Sequence, residues 1–225
     1  LVFREILPIV VSAQVAVETR YGARLSPHFC ARETLRGYRR SVAAFGAAPE
    51  PSLVDITYAT PQDTNYDKGA WLFVMLEQML GPEAFARALG RYVKIAGEKL
   101  AVWKDFYQAV AAETDRDLRP FFTKWLIGTD HLDLAVRVEP GRIVVAQSGD
   151  FPQDAAPVFR VTATGAAGTE REWRALLPGN GGTLELPVDE IPARVSVDPD
   201  AILLDWDRRN NSWPPLWEPG LATLF

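Results

Sequence analysis

The stretch WLIGTDHLDLAVRVEPGRIVVAQ, residues 125–147, contains the change of pattern that decides the fold. After Asp130 the apolar residues alternate strictly with other residues, which is typical of a strand buried on one face. The alternating apolar positions are Leu132, Leu134, Val136 and Val138. Pro140-Gly141 then predicts a turn into a second strand, IVVAQ. The chain therefore changes from helix to strand between Gly128 and Asp130.

The residues before this junction predict helices joined by short connections. Gly81-Pro82 predicts the end of one helix and the start of the next. Two more helices are predicted, one over about Lys104 to Glu113 and one from Asp117, and residues 46–65 predict a long loop. The predicted inward faces are Leu72, Met75, Leu76, Met79 and Leu80 in the first helix, and Phe85, Leu89, Tyr92, Val93 and Ala96 in the second.

The residues after the junction predict seven short strands, which indicate an antiparallel β-sandwich. The five later runs are VFRVTAT, REWRALL, TLELPV, ARVSV and AILLDW. The predicted fold class is therefore α+β, with an N-terminal helical subdomain and a C-terminal antiparallel β-sandwich. The predicted domain boundaries are 1–129 (helical), 130–209 (a fibronectin- or immunoglobulin-like β-sandwich) and 210–225, an irregular tail expected to dock on a neighbouring surface.

Composition excludes several classes of function. The chain has 225 residues, of which 48% are hydrophobic and 24% charged, as in a globular protein. A net charge of −5 argues against nucleic-acid binding. We expect no membrane span, because no run approaches the roughly 20 apolar residues required. The opening, LVFREILPIVVSAQVA, predicts no signal peptide, and without an initiating Met we expect a piece of a longer protein.

The residues alone offer few candidates for chemistry. The two histidines, His28 and His131, have no second metal ligand at helical or hairpin spacing, so we expect them to be structural or surface residues. Tyr66 directly precedes an apolar helix, and its hydroxyl could donate a hydrogen bond to an oxyanion. Gly69 would let a neighbouring backbone come close. On the residues alone, a packing role for Tyr66 remains the alternative.

The stretch NYDKGAWLFVMLEQMLGPEAFARALGRYV, residues 65–93, resembles the zinc aminopeptidases typified by aminopeptidase N. Those enzymes carry a Tyr-x-Lys-Gly-Ala segment, a helix, a Leu-Gly-x-x-x-Phe turn and a second helix ending near Arg-Tyr. The likeness continues through DFYQAV and DLRPFFTKWLIGTDHLDLAV, and DPDAILLDWD resembles the closing strand of the following β-sandwich. The chain is thus similar to the C-terminal part of a gluzincin aminopeptidase-like protein, without its His-Glu-x-x-His segment. Residues 1–129 would be the helical C-terminal part of the catalytic domain.

The resemblance implies roles for two residues. In the family, the tyrosine of this motif donates its hydroxyl to the tetrahedral intermediate formed at a zinc-bound carbonyl, and Tyr66 matches it. The family's third zinc ligand is a glutamate in a segment like Trp-Leu-x-Glu-Gly-x-Ala. Residues 2–8, VFREILP, place Glu5 at that position. Ile6 and Pro8 stand where glycine and alanine are expected, so coincidence remains the alternative for Glu5.

The function implied by the resemblance is removal of N-terminal residues from peptides by the full-length parent. That parent would hold zinc and bind a peptide substrate, and the partner of this chain would be its N-terminal remainder. We expect the chain alone to be inactive and free of zinc, because a catalytic zinc site needs at least three protein ligands. The alternative is a non-catalytic interaction or scaffold module with a degenerate peptidase fold, which the residues at Ile6 and Pro8 favour.

Overall fold

The computed structural model of the protein describes Tyr38 and residues 52–55, 67–98 and 102–215. These residues form two compact units. The first unit takes the described residues up to Asp130, together with two short segments from later in the chain, Asp154–Pro157 and Ala201–Leu204. The second unit takes the other described residues from His131 onward. The predicted domain boundaries at 129/130 and 209/210 stay predictions.

Helices dominate the described part of the first unit. The last of them continues directly as a π-helical turn, Thr123–Ile127. The α-helices in this part of the chain are α1 (Gly69–Leu80), α2 (Pro82–Glu98), α3 (Trp103–Ala111) and α4 (Arg119–Phe122). None of the helices in the described ranges is long and apolar enough to cross a bilayer.

The junction between α1 and α2 lies where the sequence predicts it. Gly81 has a φ of 85°, in the left-handed region that favours glycine, and its N–H donates to the carbonyl of Glu77 at 2.7 Å. Pro82 is the first residue of α2. Its missing N–H costs no hydrogen bond there, because the first N–H groups of a helix have no partner within the helix.

The inward face predicted for α2 is partly wrong. Phe85 and Tyr92 are buried as expected, and Ala88 completes their stripe. Val93 is 56% exposed and Ala96 is also exposed. The reason is geometric, because each helical residue is turned by about 100° from the one before, which places Val93 beside the stripe containing Tyr92.

The ends of the later helices have clear chemical causes. At the start of α3 the carboxylate of Asp105 reaches back and accepts a hydrogen bond from the N–H of Val102 at 2.9 Å. The π-helical turn ends at Gly128, whose N–H donates to Thr123 at 2.8 Å. A Cβ at Gly128 would lie 2.5 Å from the carbonyl oxygen of Lys124, so this close approach requires glycine.

An aromatic cluster forms the centre of the helical core. Phe106 lies in the middle of it, with its ring centroid 5.3 Å from Phe73, 5.4 Å from Tyr92 and 6.1 Å from Phe122. These separations and the tilted or edge-on ring orientations are those that aromatic pairs prefer. Phe106 thereby joins α3 to α1, α2 and α4.

Trp125 joins the helical core to a segment from much later in the chain. Its side chain is 1% exposed, and its indole N–H donates to the carbonyl of Ala155 at 2.6 Å. Ala155 and Ala156 are themselves fully buried. Asp154–Pro157 is therefore an integral part of the first unit.

The second unit contains two antiparallel sheets. Within the described residues, one sheet has the strand order β1-β2-β5 and the other β4-β3-β6-β7. Their bounds are β1 Asp133–Glu139, β2 Arg142–Ser148, β3 Phe159–Thr164, β4 Glu170–Ala175, β5 Thr183–Pro187, β6 Arg194–Val197 and β7 Ser212–Trp213. The central strand β2 pairs with β1 from Ser148 to Arg142, and its Ile143, Val144 and Val145 are fully buried.

The last predicted strand is wrong. AILLDW forms no strand, and Leu203 and Leu204 are instead buried in the first unit, to which Ala201–Leu204 belongs. The seventh strand is β7, which lies further on and pairs antiparallel with β6 through Val195 opposite Trp213. An apolar run is buried either as a strand or as packed coil, and its sequence period cannot distinguish the two.

Asp205 is a fully buried carboxylate of the second unit. One carboxylate oxygen accepts hydrogen bonds from the side-chain amide of Asn211 at 2.9 Å and from the N–H of Leu134 at 3.2 Å. The other accepts from the N–H of Asp207 at 3.2 Å. Asp205 therefore ties the start of β1 to the segment that leads into β7.

Burial raises the pKa of Asp205 to about 7, because removal from water disfavours the charged carboxylate. The hydrogen bond from Asn211 and the positive charge of Arg208 lower the pKa, but by less than burial raises it. The negative charge of Asp133 adds to the increase.

Together these elements confirm the α+β fold class, with helices followed by antiparallel sheets. Packing of the two sheets face to face as a sandwich stays a prediction.

Replacing Phe106 by Ala should lower the free energy of unfolding by about 3–5 kcal/mol, because the change leaves a cavity at the centre of the aromatic cluster. Urea unfolding followed by circular dichroism measures the loss. Val93→Ala on exposed α2 surface is the control and should change stability by less than about 0.5 kcal/mol. Equal losses in the two variants would contradict a core centred on Phe106.

Asp205 should make the chain less stable as the pH rises. Its folded pKa of about 7 lies above the ordinary value of 3.8, so between these values the folded chain binds more protons than the unfolded chain. The free energy of unfolding should therefore fall through this window, by on the order of a few kcal/mol, and then level off.

Urea unfolding of the native chain and of Asp205→Asn at several pH values tests this. The variant should lack this component of the slope, because an amide does not titrate. It should also be less stable than the native chain at acid pH, because a single amide oxygen cannot accept all three hydrogen bonds. The control is Asp189→Asn, whose side chain is 92% exposed. A slope that persists in Asp205→Asn would contradict the assignment.

Candidate functional site

The two residues that the sequence singles out for chemistry, Tyr66 and Glu5, lie outside the described residues. The structure does describe the residues that directly follow Tyr66, namely Asp67, Lys68 and Gly69 at the start of α1. The site can therefore be built from the groups that hold this end of the helix.

Lys68 is the most unusual of these residues, because a charged side chain is only 1% exposed. Burying an ammonium group is costly unless polar partners surround it. Its Nζ lies 3.5 Å from the carbonyl oxygen of Gly128, at the end of the π-helical turn. The partial negative charge of a helix gathers at that end, which favours a cation there. Lys68 thereby connects the residues just after Tyr66 to the end of another helix.

Trp71, in the first turn of α1, is also 1% exposed. Its indole N–H donates to the carbonyl oxygen of Ile202 at 2.8 Å. Ile202 belongs to the segment Ala201–Leu204 of the first unit. Gly69, between Lys68 and Trp71, is buried as well. The start of α1 is therefore fixed by a buried lysine and a buried tryptophan that contact different parts of the unit.

Sequence reasoning missed both of these anchors. Lys68 is visible in the motif, but a lysine in a sequence gives no sign that it will be buried. Trp71 follows Gly69-Ala70 and looks like an ordinary apolar residue of the helix. The signal that could have indicated Trp71 is the indole N–H, which needs a hydrogen-bond partner when it is buried.

A metal centre cannot be assembled from the described residues. Across residues 67–98 and 102–215, no three His, Cys, Asp or Glu side chains converge as metal ligands. His131 lies against Trp206, with ring centroids 5.7 Å apart. These residues therefore do not fit a zinc ion, and His28 and Glu5 lie outside the described ranges.

The buried carboxyl group of Asp205 serves the architecture. Asp205 has a pKa raised to about 7, but both of its oxygens accept hydrogen bonds from within the second unit. No oxygen of this group is directed at an open site, so it offers no acid or base for chemistry at α1.

Comparison with known proteins finds similarity in the helical part. Residues 53–125 match the peptidase family M1 domain. The chain is 32% identical over 98 residues to Aminopeptidase M1-B of Oryza sativa subsp. japonica, an alignment that covers 41% of this chain and 11% of the rice protein. The chain thus spans only a small part of the length of this relative.

A solved structure shows the same fold over a longer range. The crystal structure of Legionella pneumophila aminopeptidase A in complex with aspartic acid matches 75% of this chain and 21% of that protein, with a TM-score of 0.52. The sequence identity of 14% means that this likeness shows the fold alone. The chain is therefore similar to M1 aminopeptidases, and the similarity to the peptidase family M1 domain lies in residues 53–125.

Proposed function

We propose that this chain is the C-terminal part of a zinc-dependent aminopeptidase-like protein that hydrolyses peptide bonds at the N-terminus of its substrates. The observation that carries the proposal is the match of residues 53–125 to the M1 domain, because this range includes Tyr66 and the whole of α1. The resemblance of TNYDKGA to the family's tyrosine motif supports the same conclusion.

Tyr66 is the residue of this chain to which we assign a catalytic role. Its hydroxyl donates a hydrogen bond to the oxyanion that forms when the peptide carbonyl is attacked. A donor helps catalysis only if it is already aimed at the place where the charge develops. The buried Lys68 and Trp71, which fix the start of α1, supply the rigid support that such a donor requires.

The metal of the family would be held largely by residues outside this chain. Glu5 is proposed as one ligand, and the family's other ligands belong to a His-Glu-x-x-His segment that this sequence does not contain. The partner that completes the site is therefore the N-terminal remainder of the parent protein. The peptide substrate would bind between the two.

A second function remains open for a specific reason. Ile6 and Pro8 replace the glycine and alanine expected around the third zinc ligand. A parent that lost the metal site but kept the fold would be an interaction or scaffold module, because fold alone does not determine function. The sequence that precedes Leu1 in the parent separates the two functions, since a His-Glu-x-x-His segment is required only by the enzyme.

The 225-residue chain by itself should hold no zinc after dialysis and should hydrolyse no aminoacyl substrate. A stable zinc site needs several converging ligands, and the family resemblance supplies only Glu5. Elemental analysis after incubation with zinc and dialysis measures the metal, and a chromogenic aminoacyl substrate measures the activity. One tightly held zinc per chain would contradict the proposed division of the site, and Glu5→Ala would then show whether Glu5 binds it.

In the full-length parent, Tyr66→Phe should lower kcat by about 10²–10³, because the change removes one oxyanion donor. KM should change little, since the hydrogen bond forms mainly in the transition state. Steady-state kinetics with an aminoacyl substrate and a thermal melt measure the two effects. The control is Tyr107→Phe, which removes a hydroxyl from a ring packed on Phe122 and should leave kcat unchanged. An unchanged kcat in Tyr66→Phe would end the catalytic assignment.

A further inference from the structure

A pocket of the second unit lies where β6 pairs with the two-residue strand β7. Its volume of about 400 Å³ is within the size range of pockets that hold small ligands. Ala193 precedes β6, and Pro214 and Pro215 follow β7, so apolar side chains form part of its wall. The polar part of the wall comes from the two strands themselves.

The strand register explains which polar side chains reach this pocket. Side chains on a strand alternate between its two faces, so Arg194 and Ser196 lie on the same face of β6. Ser212 of β7 is directly opposite Ser196 in the antiparallel ladder and shares that face. All three residues line the pocket. The pocket therefore has one guanidinium and two hydroxyls beside its apolar wall.

Arg194 differs from most arginines of the second unit because it has no carboxylate partner. Of the eight arginines after His131 in the sequence, six form ion pairs with Asp or Glu. In the described part of the chain, Arg194 and Arg174 form none. Asp and Glu outnumber Arg in this part of the sequence, so carboxylates are not scarce. The exposed guanidinium of Arg194 is therefore available to an anion from outside the chain.

The groups in the pocket favour a carboxylate over a phosphate. A guanidinium presents two parallel N–H groups that match the two oxygens of a carboxylate. The hydroxyl of Ser196, which has no hydrogen-bond partner among the described residues, can donate to the same oxygens. Phosphate sites more often gather several backbone N–H groups, as at helix N-termini. Pro214 and Pro215 have no N–H to offer, but their rings suit a short apolar chain.

We propose that this pocket binds a small molecule that carries a carboxylate on a short apolar chain. Arg194 pairs with the carboxylate, and Ser196 donates a further hydrogen bond to it. The proposal is independent of the function proposed for Tyr66, because all residues of the pocket belong to the second unit. Butyrate, with one carboxylate and a three-carbon chain, is a suitable probe.

Titration of the 225-residue chain with butyrate, followed through the NMR signals of its backbone amides, tests the proposal. Binding should be saturable, with the largest changes in residues 193–196. Arg194→Ala should weaken it about tenfold or more, because a charge-assisted pair is lost. Ser196→Ala should weaken it by about three- to tenfold. Butyramide has the same shape without the charge and should not bind.

The matched control is Arg174→Ala. Arg174 is also exposed and also lacks a carboxylate partner among the described residues, but it lies on β4, which β3 separates from β6. Its replacement removes the same charge and should leave the affinity for butyrate unchanged. Equal losses in Arg174→Ala and Arg194→Ala, or no saturable binding by the native chain, would overturn the proposal. Inorganic phosphate that bound more tightly than butyrate, and lost its affinity in Arg194→Ala, would overturn the choice of a carboxylate.

Discussion

The first unit depends on two buried tryptophans whose indole N–H groups need partners that the helices do not supply. A buried tryptophan removes a large apolar surface from water, but its N–H must find an acceptor. Trp71 finds the carbonyl of Ile202 and Trp125 that of Ala155, at separations of 131 and 30 residues. The segments Ala201–Leu204 and Asp154–Pro157 are thereby part of the helical unit. The buried polar groups of these helices therefore find their hydrogen-bond partners in residues from the later half of the chain.

This dependence explains which parts of the fold could be predicted from the sequence. The end of α1 and the start of α2 are encoded locally by Gly81 and Pro82, so the prediction was confirmed. Strands β1 to β6 lie in the runs that alternate or carry β-branched residues, and they were predicted for that reason. The strand prediction for AILLDW was wrong because Leu203 and Leu204 are buried in the first unit without forming a strand. A short apolar run shows that residues are buried, but it does not show whether their backbone is a strand or a coil. The two-residue strand β7 is too short to carry a period at all.

The candidate site, like the fold, has one part that the sequence predicts and one part that it does not. The motif around Tyr66 could be recognised from the sequence because its residue types are adjacent in the chain. The residues that hold the motif could not be recognised, since Lys68 contacts Gly128 and Trp71 contacts Ile202, both far away in sequence. Lysine is among the residues least often buried, so nothing in the sequence indicates that Lys68 is buried. Only the tertiary structure shows that both side chains are inside.

Asp205 and Lys68, two of the buried charged residues in the described part of the chain, lie in different surroundings. Asp205 can become neutral near pH 7, because burial raises its pKa into that range, and its contribution to stability therefore depends on pH. Lys68 lies instead beside a carbonyl at the end of a helix, where the local field favours a positive charge. A hydrogen-bond donor for an oxyanion must keep its direction while charge develops in front of it. Lys68 and Trp71 both make buried polar contacts at the start of α1, so a rotation of this helix would disturb them. The start of α1, which follows the Tyr66 motif in the sequence, is therefore held by two buried polar contacts.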